Sequence, residues 1–224
     1  MPDRYLITHS LMSSWLYTMK DDPYEDVTSA DRYAEFLQTL RKEPTPTTKA
    51  MQYGIDFENL VTAILQGDKI AVYHKENRNS GELERELYPV IEHPWFEGAN
   101  DIAGIIRGAQ LQHKASKEIV VGDMTLLLYG RLDALKAGTV YDIKFSKSSY
   151  DRGKYIDSTQ HPVYMELIPE AREFTYLVSN GSLVWTETYT REATPSVYPT
   201  IAAFLNWLRE TGNMATFKEK WSAK

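Results

Sequence analysis

Residues 125–146 read TLLLYGRLDALKAGTVYDIKFS. Leu, Tyr, Val and Ile dominate the stretch, and it is broken once, by Ala137–Gly138. Two β-rich runs around a short turn predict a pair of adjacent strands. The segment before them, Gln110–Val121, has the same character and is set off by Gly122–Asp123. Strands over Gln110–Val121, 125–136 and 139–146 therefore predict an antiparallel meander.

Upstream, the pattern is helical. Residues 6–19 form an apolar-rich stretch suited to one helix. Ser29 is placed to cap a second, running to about Leu40, with Tyr33, Phe36, Leu37 and Leu40 at helical spacing. A Pro/Thr loop covers 41–48, and a longer helix covers Lys49–Gln66. The charged stretch 67–89 reads as an exposed loop or short helix, and 94–107 as another helix. Downstream come a polar loop (147–157), a helix (158–167), strands at Glu173–Ser179 and 183–190 around the turn Asn180–Gly181, a helix over 196–209, and a short helix near Trp221. This order predicts an α+β (or α/β) fold: a mixed central β-sheet flanked by helices, with a helical N-terminal part. We read residues 1–224 as one domain, with 1–48 a helical extension, 49–190 the core and 191–224 the C-terminal helices.

With 224 residues, 42% of them hydrophobic, the chain can build one sizeable core. The absence of cysteine excludes disulfides, Cys-ligated zinc and Cys-held iron–sulfur clusters. No run approaches a membrane span, and the N-terminus lacks the pattern of a secretion signal, so a cytoplasmic location is expected. A formal net charge of −6 makes any contact with phosphates depend on local positive charge or a bound cation. No Walker-type glycine loop is present, and no Ser–His–Asp signature.

In residues 139–146, TVYDIKFS, strand alternation puts Tyr141, Ile143 and Phe145 on one face and Val140, Asp142, Lys144 and Ser146 on the other. The second face sets a carboxylate beside an ammonium. A solvated, salt-bridged strand face displays the same pair. Asp133 ends the preceding strand, and the turn at 137–138 folds it back toward Asp142. Two close carboxylates repel unless a proton or cation lies between them. Mg²⁺, with Mn²⁺ as a substitute, accepts such an all-oxygen site. Lys144 is then placed to orient or help deprotonate a water at the ion, or to offset charge developing on a phosphate. Asp142–Ile143–Lys144 is the only Asp/Glu-x-Lys triplet in the chain.

Other residues could join this group. Gly54, Phe57, Glu58, Val61 and Leu65 share one side of the long helix, so the Glu58 carboxylate enters an apolar stripe. A cation ligand, a salt bridge or a helix-edge position would each relieve its burial. Gln160 and Tyr164 lie one helical turn apart, fit to bind a phosphate or to brace the site. Arg131 shares the strand face of Asp133, and either pairs with it or meets a phosphate. Lys147, Arg152 and Lys154, with Tyr150 and Tyr155, make a basic–aromatic loop of the kind that touches nucleic-acid backbone or stacks on bases; an ordinary solvated loop reads the same way. His161 adjoins Gln160, and a lone histidine is more often structural. His74, His93 and His113 show no metal-ligand spacing.

Four segments occur in order: GIDFENLV (54–61), YGRLDAL (129–135), YDIKFS (141–146) and STQHPVYMEL (158–167). Together they resemble the PD-(D/E)XK nuclease superfamily, above all its RecB-like and phage-type exonuclease branches. The likeness covers 54–167, about half the chain. It implies a restriction-endonuclease-like core, with Glu58, Asp133, Asp142 and the Ile143 carbonyl as Mg²⁺ ligands and Lys144 as the catalytic lysine. Gln160 and Tyr164 match its Gln-x-x-x-Tyr helix motif, and we group them with Arg131 as substrate-binding. Leu132 stands where the family carries proline. The resemblance implies a Mg²⁺-dependent deoxyribonuclease of phage or prophage type, acting in recombination or replication beside a single-strand annealing protein. An endonuclease, or a module on the same fold that binds DNA or protein without cleaving, are the alternatives.

Overall fold

The structure is a computed structural model, and it describes residues 3–20, 27–148 and 150–223. In chain order these form β1 (Arg4–Thr8), α1 (His9–Tyr17), α2 (Ser29–Arg41), α3 (Lys49–Gln66), a hairpin of β2 (Ile70–Glu76) and β3 (Leu83–Pro89), α4 (Phe96–Ile106), β4 (Gln110–Val121), β5 (Met124–Lys136), β6 (Thr139–Phe145), α5 (Gln160–Leu167), β7 (Glu173–Ser179), β8 (Val184–Thr190), α6 (Tyr198–Glu210), α7 (Met214–Lys220) and β9 (Ser222–Ala223). The fold is α+β, with a mixed seven-stranded sheet flanked by helices.

Local chemistry sets the helix ends. Thr28, not Ser29, caps α2, and Asp31 completes a capping box with it. Thr48 caps α3, which stops at Gly67 in the left-handed conformation (φ 76°). Each cap satisfies backbone groups that the helix leaves unpaired.

The sheet order is β8-β7-β6-β5-β1-β9, with β4 also on β5. The meander β4-β5-β6 is antiparallel, as the sequence predicts. Two pairs are parallel, β1 with β5 and β6 with β7. One edge of β5 is lined by β4 along almost its whole length. The other edge is shared. Parallel pairing with β1 ends at Thr8↔Tyr129, and antiparallel pairing with β6 begins only at Ala134↔Tyr141. Gly130, Arg131, Leu132 and Asp133 lie in the fork between them.

Helices cover both faces. Phe57, Leu60 and Val61 of α3 and Ala99, Ile102 and Ala103 of α4 build one core, which receives Ala134 and Leu177 from the sheet. The other core joins α1, α2, α5, α6 and α7 to Leu126, Leu128, Val140, Phe174 and Tyr176. Each large side chain so buried contributes roughly 1.5–3 kcal/mol. A strand buried on both faces reads as a continuous apolar run, and β7 (EFTYLVS) does so.

Three elements depart from expectation. Residues 6–19 are not one helix: β1 occupies their start, and α1 begins at His9. The stretch 67–89 holds the β2–β3 hairpin, a separate two-stranded sheet. Its exposed positions mix charged residues (Lys75, Glu76, Glu84, Arg85) with exposed apolar ones (Ile70, Leu87), which masks the alternation. The first 48 residues are also no mere extension, because β1 is an interior strand, between β5 and β9.

Arg191 ties the end of α5 to the sheet. Its guanidinium donates to the carbonyls of Ala171 (2.6 Å), Met165 (2.9 Å) and Ile168 (2.6 Å). A cation on the last carbonyls of a helix satisfies them and complements the helix dipole. Arg191→Ala is therefore expected to cost about 2 kcal/mol in urea unfolding, with the denaturant slope unchanged.

Candidate active site

The fork in the β5 edge is where the predicted residues meet. As β6 leaves β5, the Ile143 N–H donates to Asp133 Oδ2 (2.8 Å) instead of to a strand carbonyl. The side chain of Asp133 thus continues the ladder where the backbone cannot. On the opposite edge the pairing skips Gln112, which faces Asp133 and adopts φ 50°. Across this point the side-chain alternation of β5 changes sides: Leu132 belongs to one core and Ala134 to the other.

Asp142 is buried on β6. Its Oδ1 accepts a hydrogen bond from Gln160 Nε2, and its Oδ2 lies 2.7 Å from Lys144 Nζ. Burial pushes the Asp142 carboxyl up, opposed by Lys144 and Gln160. Burial works against the Lys144 charge, but Asp142 outweighs it and holds the ammonium above its ordinary value. Lys144 is therefore a cation at neutral pH. It can donate hydrogen bonds and positive charge, and it cannot take up a proton from water. Asp133 is pushed up to about 7, first by burial and then by the charges of Asp142 and Glu58.

Glu58 approaches this group from α3, but not from within its apolar face. It is half-buried, and its Oε1 accepts from Gln112 Nε2 at 2.7 Å. The buried carboxylate of α3 is Asp56, which accepts from the His74 N–H (2.7 Å) and Gln52 (2.9 Å) and pairs with the His74 ring (2.9 Å). That acid fastens the β2–β3 hairpin to α3 and takes no part in the site.

Gln160 and Tyr164 are both buried. Gln160 is engaged with Asp142, and the Tyr164 hydroxyl donates to the Arg131 carbonyl at 2.8 Å, filling the fork. Both brace the strands. Gly130 makes this possible, since a Cβ there would lie 2.2 Å from Tyr164 Cε1. The Arg131 side chain is exposed, and among the described residues no ion pair joins it to Asp133. It lines a pocket of about 240 Å³ at the mouth of the fork with Thr8, His9, Ser10 and Tyr164.

Two site residues, His9 and Glu187, escape the sequence reading, and Tyr155 of the expected basic–aromatic loop joins them. His9 is delivered to the fork by β1, with its ring 5.6 Å from that of Tyr164. Burial and the Lys144 charge lower it to about 4, so it is neutral at pH 7. Its sequence signal is hidden because the apolar run 6–19 has helical character throughout and does not mark the strand that delivers it. Tyr155 stacks on Tyr176 at 4.2 Å and feels the charges of Lys144 and Asp142. Glu187 on β8 accepts from the Gly153 and Tyr155 N–H groups (3.1 and 3.4 Å), anchoring the basic–aromatic loop. His161, His93 and His74 are held in structural contacts, the last by Asp56. His161 stacks on Tyr189 at 4.1 Å, and His93 accepts from the Trp95 N–H.

The donor set suits a hard cation. It is all oxygen, and Asp133 is crowded by two further acids. Among the described residues, no three His, Cys, Asp or Glu side chains stand as a ready cation cage. Both oxygens of Asp142 are turned to Lys144 and Gln160. The chemistry of the residues fits Mg²⁺, and Asp142 would have to loosen one of these contacts to reach it.

No family model and no curated protein matches the chain. Among solved structures it is similar to SSO0001, at 13% identity and a TM-score of 0.50, over 95% of this chain and 79% of that one. That likeness concerns the fold alone. Scheffersomyces stipitis Rai1, solved with (3'-NADP)+ and calcium, overlaps at 11% identity over 94% of this chain and 60% of its own. Its TM-score of 0.35 is too low to bear on function.

A carboxyl raised on folding stabilises the protein fully below its unfolded value, near 4, and loses that contribution as pH rises through about 7. Melting temperatures measured in EDTA from pH 4 to 8 should show Asp133→Asn gaining on the wild type as pH rises. Mg²⁺ should close the gap at pH 8. A second expectation concerns Gly130→Ala, which should lower stability and displace Tyr164, seen as a changed Tyr164 environment by NMR.

Proposed function

We propose that this protein is a Mg²⁺-dependent deoxyribonuclease that hydrolyses DNA phosphodiester bonds. The observation that carries the reading is the meeting of Asp133, Asp142 and Lys144 in the β5–β6 fork, with Glu58 close enough to shift Asp133. Asp133, Asp142, Glu58 and the Ile143 carbonyl would hold Mg²⁺ or Mn²⁺, which supplies Lewis acidity and positive charge beside a phosphate. The chain's own residues do the rest. Lys144, kept protonated by Asp142, points a fixed ammonium at charge developing on the phosphoryl oxygens. Gln160 holds Asp142 in place, and Tyr164 holds open the end of the strand that carries Asp133. His9 presents a neutral ring at the same mouth. Arg131 is free to meet a neighbouring phosphate.

Exonuclease action of phage or prophage type, a cytoplasmic setting and a single-strand annealing partner rest on the sequence resemblance. Incubation with linear and circular duplex DNA in Mg²⁺ or EDTA tests the reading. Degradation of linear DNA alone supports an exonuclease, and nicked circles an endonuclease. DNA binding without cleavage in Mg²⁺ or Mn²⁺ would leave a binding module. Asp142→Ala and Lys144→Ala should each reduce cleavage at least a thousandfold with the fold intact by circular dichroism. Full activity in either would sink the site assignment.

A further inference from the structure

A pocket of about 440 Å³ opens just past the end of β6, on the side of the sheet covered by α3. Tyr53 and Phe145 form its apolar walls, Ser146 adds a hydroxyl, and Lys49, Lys147 and Lys154 contribute ammonium groups. The volume falls in the range of small-ligand sites. Three lysines around one pocket stand out in a chain of net charge −6. Glu76 is the acid that partners one of them, Lys49, at 2.5 Å. Lys147 rests on the Tyr53 ring, its Nζ 3.7 Å from the centroid. Beneath it the Tyr53 hydroxyl is buried and has no hydrogen-bond partner among the described residues. A buried hydroxyl without a partner is costly, and a ligand oxygen would satisfy it.

We propose that this pocket is a nucleotide-binding subsite: it takes one phosphate of the DNA strand on Lys147 and Lys154 and its nucleoside against Tyr53 and Phe145. The subsite rests on the deoxyribonuclease reading and extends it. Lys147 follows Lys144 by three residues, so their Cα atoms are at most about 10 Å apart. That reach suits a strand held at one nucleotide while a neighbouring phosphate lies at Lys144. Cation and aromatic face together form the arrangement that binds single strands without reading sequence. A ligand phosphate draws Lys147 off the Tyr53 ring and opens the hydroxyl below it.

The test measures binding in EDTA, where cleavage does not intervene. The probes are a fluorescein-labelled single-stranded 12-mer, followed by anisotropy, and deoxyadenosine 5′-monophosphate, followed by amide shifts of Tyr53, Ser146 and Lys147. Lys147→Ala/Lys154→Ala should bind the 12-mer at least tenfold more weakly, with the salt slope reduced by about 1, and should lose the mononucleotide shifts. Its melting temperature should match the wild type. Tyr53→Phe should weaken mononucleotide binding about threefold. Unchanged affinity and salt slope in the double variant overturn the subsite. So does inorganic phosphate competing as well as the mononucleotide, since the apolar walls would then contribute nothing. Lysine-dependent mononucleotide binding in a protein that never cleaves DNA leaves the subsite standing and removes the activity.

Discussion

The site depends on a backbone constraint: one strand edge cannot be paired by two neighbours at once. β1 approaches β5 in parallel and β6 leaves it antiparallel, and between Tyr129 and Ala134 neither can reach. Unpaired backbone inside a protein is expensive, so side chains take over. Asp133 accepts the Ile143 N–H and Tyr164 donates to the Arg131 carbonyl. A carboxylate in such a fork is held by the sheet on one oxygen. The same splaying sets it near a second acid, Asp142, in an environment where neither charge is easily carried.

Lys144 answers only part of that problem. It neutralises Asp142 at 2.7 Å, while Asp133 remains pushed up by burial and by its acidic neighbours. Stability is given up here for a concentration of charge that serves the fold poorly. Elsewhere the molecule handles buried polarity conventionally. Asp56 is fully matched by Gln52 and His74, and Arg191 by three carbonyls. The contrast between a satisfied acid on α3 and a crowded one on β5 separates framework from site.

Much of this was legible in the sequence. The meander, α3, α5, β7, β8 and the C-terminal helices follow from periodicity and turn residues, because their burial patterns are simple. Asp133, Asp142, Lys144, Gln160 and Tyr164 could be grouped because they lie on adjacent elements with short spacings. What escaped is non-local. β1 is a five-residue strand running straight into a helix, and its partners β5 and β9, both more than a hundred residues on, make it a strand. His9 escaped with it. On α3 the buried stripe runs through Tyr53, Asp56, Phe57, Leu60 and Val61, one position away from the stripe that Gly54, Glu58 and Leu65 suggest. A carboxylate that accepts three hydrogen bonds from Gln52 and His74, Asp56, can be buried more deeply than a residue at the apolar edge, Glu58. Glu187 was invisible for a similar reason, since its partners are backbone amides of a distant loop.

The parallel pairing of β1 with β5 has a temporal side. Arg4 meets Thr125, about 120 residues later, and contacts of that span close slowly. During synthesis from the N-terminus, β1 and His9 must wait until β5 and its turn into β6 exist. Gln160 and Tyr164 come later still. The constellation at the fork thus cannot be complete until α5 has been made, and a shorter nascent chain carries its charged residues without their arrangement.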